Sequence, residues 1–232
     1  MILYAIPTPL GSSPQESLPG PALERIRSLN DFVVENAKSA RAFLSAAGCK
    51  PRELQLSELS EHTAAGDVPR LLQPLRDGRP LGLLSEAGCP AIADPGALLV
   101  EAAHREGFRV VPLIGPSSIT LALTASGLEG QRFAFCGYLP RDAGERVRRI
   151  RELEARSRKE AETEIFIETP YRNDTLVAAL LETCALSTRL CIAADLTLPS
   201  ESIATKSISE WRRTPPSIGK RPAVFLLLAH QR

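Results

Sequence analysis

Through the first half of the chain, short and nearly continuous apolar runs alternate with stretches in which apolar residues recur every three or four positions. Residues 1–6, 31–34, 54–59, 81–84 and 108–114 read as strands, and 21–29, 37–47, 67–75, 97–106 and 117–126 as helices. That alternation predicts a parallel sheet covered by helices. Gly48, Gly107 and Gly127 stand where helices should stop. Asp67 reads as a helix cap, and Asp94 followed by Pro95 as an N-cap with proline in the first turn.

From Gly127 to Pro140 the pattern changes. A strand across 132–140 leads into a highly charged helix, followed by a strand at 164–168, a loop at 169–172 and a helix at 173–184. Three strands then follow at 188–195, 201–208 and 222–229 with little helix between them, which predicts a mixed or antiparallel sheet. The fold class is therefore α/β with two domains, a parallel-sheet domain over 1–128 and a mixed-sheet domain over 129–232. With 232 residues, each is large enough for its own core.

No apolar run approaches the ~20 residues that span a bilayer, and no positive segment precedes the first apolar residues, so the expected location is cytoplasmic with no membrane partner. The five cysteines, Cys49, Cys89, Cys136, Cys184 and Cys191, form no CxxC pair and read as reduced, mostly buried thiols. His62, His104 and His230 lack ligand spacing and read as surface or packing residues, so no metal site is expected. A net charge of +1 gives no global pull on a polyanion. Between Arg141 and Lys159, however, eight basic residues stand against four acidic ones. That segment reads either as a solvated helix laced with ion pairs or as a polyanion-facing surface.

Neither a phosphate-loop GxxxxGK[ST], nor GxGxxG, nor a GxSxG elbow is present. What stands out is Leu84-Ser85-Glu86-Ala87-Gly88-Cys89-Pro90, a small-residue loop with one carboxylate at the end of a predicted strand, and Gly115-Pro116-Ser117-Ser118 after the next strand. A right-handed βαβ unit puts both loops on one rim of the sheet, the rim where open parallel sheets bind ligands. Small residues let backbone approach a ligand, and Glu86 can accept from ribose hydroxyls or an ammonium, which suits a small organic cofactor with an amino-acid end. The alternative is a pair of tight turns that merely join strands to helices.

Ser85-Glu86-Ala87-Gly88-Cys89-Pro90 with Asp94-Pro95-Gly96, Val110 to Ser118, Leu123 to Leu128, Gly137-Tyr138-Leu139-Pro140, Tyr4 to Gly11, and Ile165 to Arg172 together closely resemble the tetrapyrrole methylase superfamily of S-adenosylmethionine-dependent methyltransferases. Within it they are most similar to the small-subunit ribosomal RNA methyltransferase I branch, which methylates a cytidine ribose 2′-oxygen. The resemblance implies two α/β domains with S-adenosylmethionine in the cleft between them, in a homodimer. It points to Pro9, Ser85, Glu86, Gly88, Pro90, Gly115, Ser117, Ser118, Thr169 and Pro170 as cofactor-binding residues. It points to Glu35, Glu168 and Arg172 for handling the acceptor, with 16S ribosomal RNA or the small ribosomal subunit as partner.

The substrate side departs from the branch. Its Ala-Glu-Asp-Thr-Arg is Val34-Glu35-Asn36-Ala37-Lys38 here, with only Glu35 kept, and its Ser-Asp-Ala-Gly-Thr-Pro is Ser-Glu-Ala-Gly-Cys-Pro. A small-molecule methylase, tetrapyrrole included, and a non-catalytic S-adenosylmethionine-binding protein therefore stay open. For Glu168 and Arg172 the competing reading is an interdomain ion pair, and for Glu35 a charge at a helix start. The chain is also expected to end about where the second domain does, without the additional C-terminal module of many relatives.

Overall fold

A computed structural model describes residues 1–229; His230 lies outside the described residues. Two compact units divide the chain, Met1–Ser117 and Ser118 onward. The first comprises β1 (Ile2–Ile6), α1 (Pro14–Ser17), α2 (Gly20–Arg27), β2 (Asp31–Val34), α3 (Ala37–Ala46), β3 (Gln55–Glu58), α4 (Gln73–Arg76), β4 (Leu81–Leu84), α5 (Gly96–Arg105) and β5 (Arg109–Pro112). Its five strands are all parallel in the order β3-β2-β4-β1-β5. Every residue of β2 and β4 is buried, as strands covered on both faces must be.

Alternate residues of these strands feed two separate cores, because strand side chains point to opposite faces in turn. Phe32, Val34 and Leu84 pack with Leu23 and Ile26 of α2 and Leu44 of α3. Val33, Leu81 and Leu83 pack with Leu72, Leu75 and Leu99 on the other side. The crossover from β2 runs outward to β3, whereas the one from β4 passes β1 to reach β5. Right-handed crossovers in opposite directions put α3 and α5 on opposite faces, so the loops after β2 and β4 part from each other at the carboxyl edge. Such a switch point is where open sheets place a ligand.

The second unit contains α6 (Ser118–Ser126), β6 (Phe133–Tyr138), α7 (Ala143–Glu160), β7 (Thr163–Ile167), α8 (Asn173–Thr183), β8 (Arg189–Ala194), β9 (Ser202–Ser207), α9 (Ile208–Arg213) and β10 (Ala223–Leu228). Its sheet has the order β6-β7-β10-β8-β9, with β6 and β7 parallel and the remaining pairs antiparallel. Phe166 and Phe225 face each other across β7 and β10 with ring centroids 5.9 Å apart, at the centre of a core shared with α7, α8 and α9.

Four readings of the pattern change. The units divide at 117/118 rather than 128/129, because α6 packs on β8, β9 and β10 and Thr205 Oγ1 donates to the Ser126 carbonyl. Residues 67–75 form a 3-10 turn, Val68–Leu72, before α4, and Asp67 makes no side-chain cap. The N-cap of α5 is Pro95, although the Asp94 carboxylate still accepts from the Gly96 amide at 2.7 Å. A helix, α9, stands between β9 and β10, closed by a Ser207–Glu210 capping box.

Candidate functional site

In the first unit the loops after β1, β2, β4 and β5 lie on one edge of the sheet, since all four strands run the same way. Two of them are stitched together. Thr8 and Gly88 exchange backbone hydrogen bonds of 2.9 and 3.0 Å, and Ser85 Oγ donates to the Gly88 carbonyl at 3.1 Å. Gly88 has a φ of 75°, which a side chain would strain. Cys89 Sγ donates to the Pro116 carbonyl at 3.5 Å and ties in the third loop. At Gly115 a Cβ would stand 2.5 Å from Pro7 Cβ and 2.8 Å from Leu18 Cδ2, so only glycine allows this close approach. Pro9, Ser85, Glu86, Gly88, Pro90, Gly115 and Ser117 are thus gathered at one sheet edge.

Glu35 follows β2, and its Oε2 accepts from the Glu86 amide at 3.2 Å. It stands one residue before Asn36, which caps α3 by accepting from Lys38 N and Ser39 N, so it is also a charge at a helix start. Burial raises the Glu35 carboxyl above the ordinary range, the Glu86 hydrogen bond opposes this, and the negative charges of Asp94, Glu86 and Glu61 raise it further. Glu86 is exposed, and one of its oxygens accepts from Ser39 Oγ at 3.4 Å.

Asp94, expected as a helix cap and part of the family motif, straps the loop around it. Its Oδ1 accepts from Ala91 N at 2.8 Å and Gly96 N at 2.7 Å, across two alanines held at φ of 67° and 59°. Its Oδ2 is buried with no hydrogen-bond partner, and its carboxyl is also raised by burial. Asp94 and Glu35 line the same small crevice between Val34, Leu83 and Leu84. An open groove of about 530 Å³ also runs beside β5, lined by Tyr4, Arg25, Val111, Leu113 and Ile114 among others.

In the second unit Glu168, Thr169, Pro170 and Arg172 form one turn at the end of β7. Glu168 is buried, and its Oε1 accepts from Thr169 N at 2.6 Å and from Arg172 Nε at 3.0 Å. The pair therefore closes a local turn and is not an interdomain ion pair. Arg172 Nη1 remains buried without a partner. Ser118 begins α6 in this unit.

The remaining candidates separate clearly. His62 and His104 are exposed, and no group of three metal-ligating side chains occurs among the described residues. Cys184 and Cys191 are buried, while Cys49, Cys89 and Cys136 are half-buried, and all five are free. No helix among the described residues is long and apolar enough to cross a membrane. The charged helix α7 carries its charge largely paired: Arg149 with Glu152 at 3.2 Å, Arg158 with Glu154 at 3.8 Å, and Arg156 with Glu162 at 3.4 Å and with Glu164.

Residues 4–211 match the family Tetrapyrrole (Corrin/Porphyrin) Methylases. Among curated relatives, "Ribosomal RNA small subunit methyltransferase I" of Mesorhizobium japonicum is 34% identical over 206 residues, covering 89% of this chain and 67% of the relative. The protein of the same name from Escherichia coli O157:H7 is 30% identical over 232 residues, covering 99% and 78%. Solved structures share the fold at lower identity. Diphthine synthase superposes with a TM-score of 0.67 at 16% identity, covering 99% of this chain and 90% of that one. Uroporphyrin-III-C-methyltransferase from Thermus thermophilus gives 0.58 at 19%, covering 98% and 91%.

Proposed function

Because the chain belongs to the tetrapyrrole methylase family, we propose that it is an S-adenosylmethionine-dependent methyltransferase whose acceptor is a ribose 2′-oxygen of small-subunit ribosomal RNA. The observation that carries the reading is the stitched cluster of loops around Thr8, Gly88 and Gly115 at the sheet edge. It occurs in a chain at least 30% identical to relatives named for small-subunit ribosomal RNA. The same reading places its action in the cytoplasm.

The residues present fit the cofactor. In the first unit, close-packed glycine loops offer backbone N–H and C=O groups, and Glu86 offers an exposed carboxylate to hydroxyls or an ammonium. When bound, S-adenosylmethionine supplies a methyl group on a sulfonium, ready for in-line displacement. The chain then has to orient the acceptor, exclude water and take up one proton. Glu35 suits the last task, since a half-buried carboxylate of raised pKa is a stronger base than an exposed one. In the second unit, Glu168 holds Thr169 and Arg172 in place.

The test is transfer of tritium from methyl-labelled S-adenosylmethionine into small ribosomal subunits from a strain lacking the gene. Label in 16S ribosomal RNA, resistant to alkaline cleavage at the modified ribose, is the expected result. Label that appears only in a small-molecule fraction reassigns the acceptor, and no binding of S-adenosylhomocysteine in calorimetry removes methyl transfer altogether.

A further inference from the structure

Tyr171 is 80% exposed, against 54% for Tyr138 and 44% for Phe133. Its position is nevertheless fixed from both sides. Upstream, the Glu168 carboxylate holds Thr169 and Arg172 as described above. Downstream, the buried Asn173 donates from Nδ2 to the carbonyls of Gly219 at 3.1 Å and Arg221 at 2.7 Å. Asp174 Oδ1 accepts from the amides of Ile218 at 2.9 Å and Gly219 at 3.2 Å. The segment 218–221 is thereby fastened to the start of α8, and it carries Lys220, whose Nζ lies 5.0 Å from the centre of the Tyr171 ring.

A large exposed ring gains nothing from burial within its own unit. Here it is held at a turn whose neighbours Thr169 and Pro170 are among the residues that the family resemblance points to for the cofactor. An ammonium over the ring favours its electron-rich face. An aromatic surface beside a cation is also what single-stranded nucleic acid requires, because each base presents a flat face and each linkage a negative charge.

We propose that Tyr171 and Lys220 form a binding platform for one nucleotide of single-stranded RNA, the ring stacking on a base and the ammonium pairing with the adjoining phosphate. This rests on the ribosomal RNA reading of the acceptor and adds how the strand is gripped. Stacking on one ring is indifferent to sequence, so the platform positions the strand without choosing the acceptor base.

The test uses the full chain and a fluorescein-labelled 12-nucleotide single-stranded RNA of mixed sequence, beside the corresponding duplex, in fluorescence anisotropy. Tyr171→Ala is expected to weaken single-strand binding about tenfold, as for loss of one stacked base. Tyr171→Phe keeps the stacking face and is expected to stay within about twofold. Lys220→Gln is expected to lower the slope of log K against log salt by about one, the signature of one lost phosphate contact. Calorimetry with S-adenosylhomocysteine and thermal melts report on the cofactor site and on folding. Single-strand binding by Tyr171→Ala equal to wild type, or Tyr171→Phe as weak as Tyr171→Ala, overturns the platform alone. A wild-type chain that binds S-adenosylhomocysteine but no RNA overturns the platform together with the RNA acceptor and leaves methyl transfer standing.

Discussion

Glu35 is a carboxylate that the fold half-buries and sets among other carboxylates, and this has a consequence for stability as well as for chemistry. Its folded pKa lies above the ordinary 4.5, so the folded state holds the proton more tightly than the unfolded chain does. The associated stability is complete below about 4.5 and is lost as pH rises through the folded value. Glu35→Gln keeps an oxygen for the Glu86 amide and removes the charge. It is expected to unfold at higher urea than wild type at pH 7.5, with the gain gone at pH 4, while methyl transfer falls about 10²- to 10⁴-fold, the usual worth of a general base. A variant that is less stable at pH 7.5 would contradict the electrostatics, whatever its activity. Glu86 offers the opposite case. Its exposed side chain makes one long hydrogen bond, so Glu86→Ala should move stability by no more than about 0.5 kcal/mol. It is expected to weaken S-adenosylhomocysteine binding about tenfold by calorimetry, as for one charge-assisted hydrogen bond.

Among the elements, α7 and β7 share the costliest arrangement. Glu164 is wholly buried in β7 and is neutralised by Arg156 of α7, with Cys136 of β6 3.2 Å from its Oε2. Burial and the neighbouring carboxylate push the Cys136 thiol up to about 11, so it stays protonated and inert near neutral pH. Arg156→Met leaves a buried charge without its partner and should cost about 2–3 kcal/mol in urea unfolding, somewhat below a fully buried pair because Arg156 keeps partial access to water. Replacing Glu164 by leucine in the same chain is expected to recover most of the loss. A cost below about 0.5 kcal/mol in the single variant would mean that water reaches Glu164.

The core strands were readable because β2 and β4 are covered on both faces and so appear as unbroken apolar runs. Element ends were less so. Asp94 carries the residue types of a cap but works one position off, holding Ala91 and Gly96 at once. Helix α9 was hidden by the strand pattern of 201–208, although Ser207 and Glu210 three residues apart signal a helix start. Trp211, buried with its Nε1 donating to the Leu190 carbonyl at 2.8 Å, locks that helix against β8. The bond joins residues 21 apart and has no local signature.

Taken whole, the chain balances 28 basic against 27 acidic residues, and the basic bias of 141–159 could not be interpreted from order alone. Arg148 and Arg149 share Glu152, Arg158 faces Glu154 of the same helix and Arg156 faces Glu164 of β7, so these guanidiniums are held in ion pairs although the segment keeps an excess of basic residues. The double variant Arg148→Gln/Arg149→Gln is therefore expected to change affinity for small-subunit ribosomal RNA by less than about twofold in filter binding. A loss of tenfold would place α7 on the path of the RNA. The boundary between the units was hidden for a related reason: α6 is apolar on most of its faces, and its sequence does not say which sheet it will cover.

The Asp94 strap gives the loop over the switch point a clock of its own. Loop amides ordinarily exchange with solvent deuterium quickly, but the Ala91 and Gly96 hydrogens are both committed to one carboxylate oxygen and can exchange only when the strap lets go. Two amides released by a single event should exchange at matched rates, slower than those of Ile92 and Ala93 between them. Their common rate is the frequency at which this loop opens, and slowing of that rate by S-adenosylhomocysteine would mark the loop as part of the ligand's enclosure.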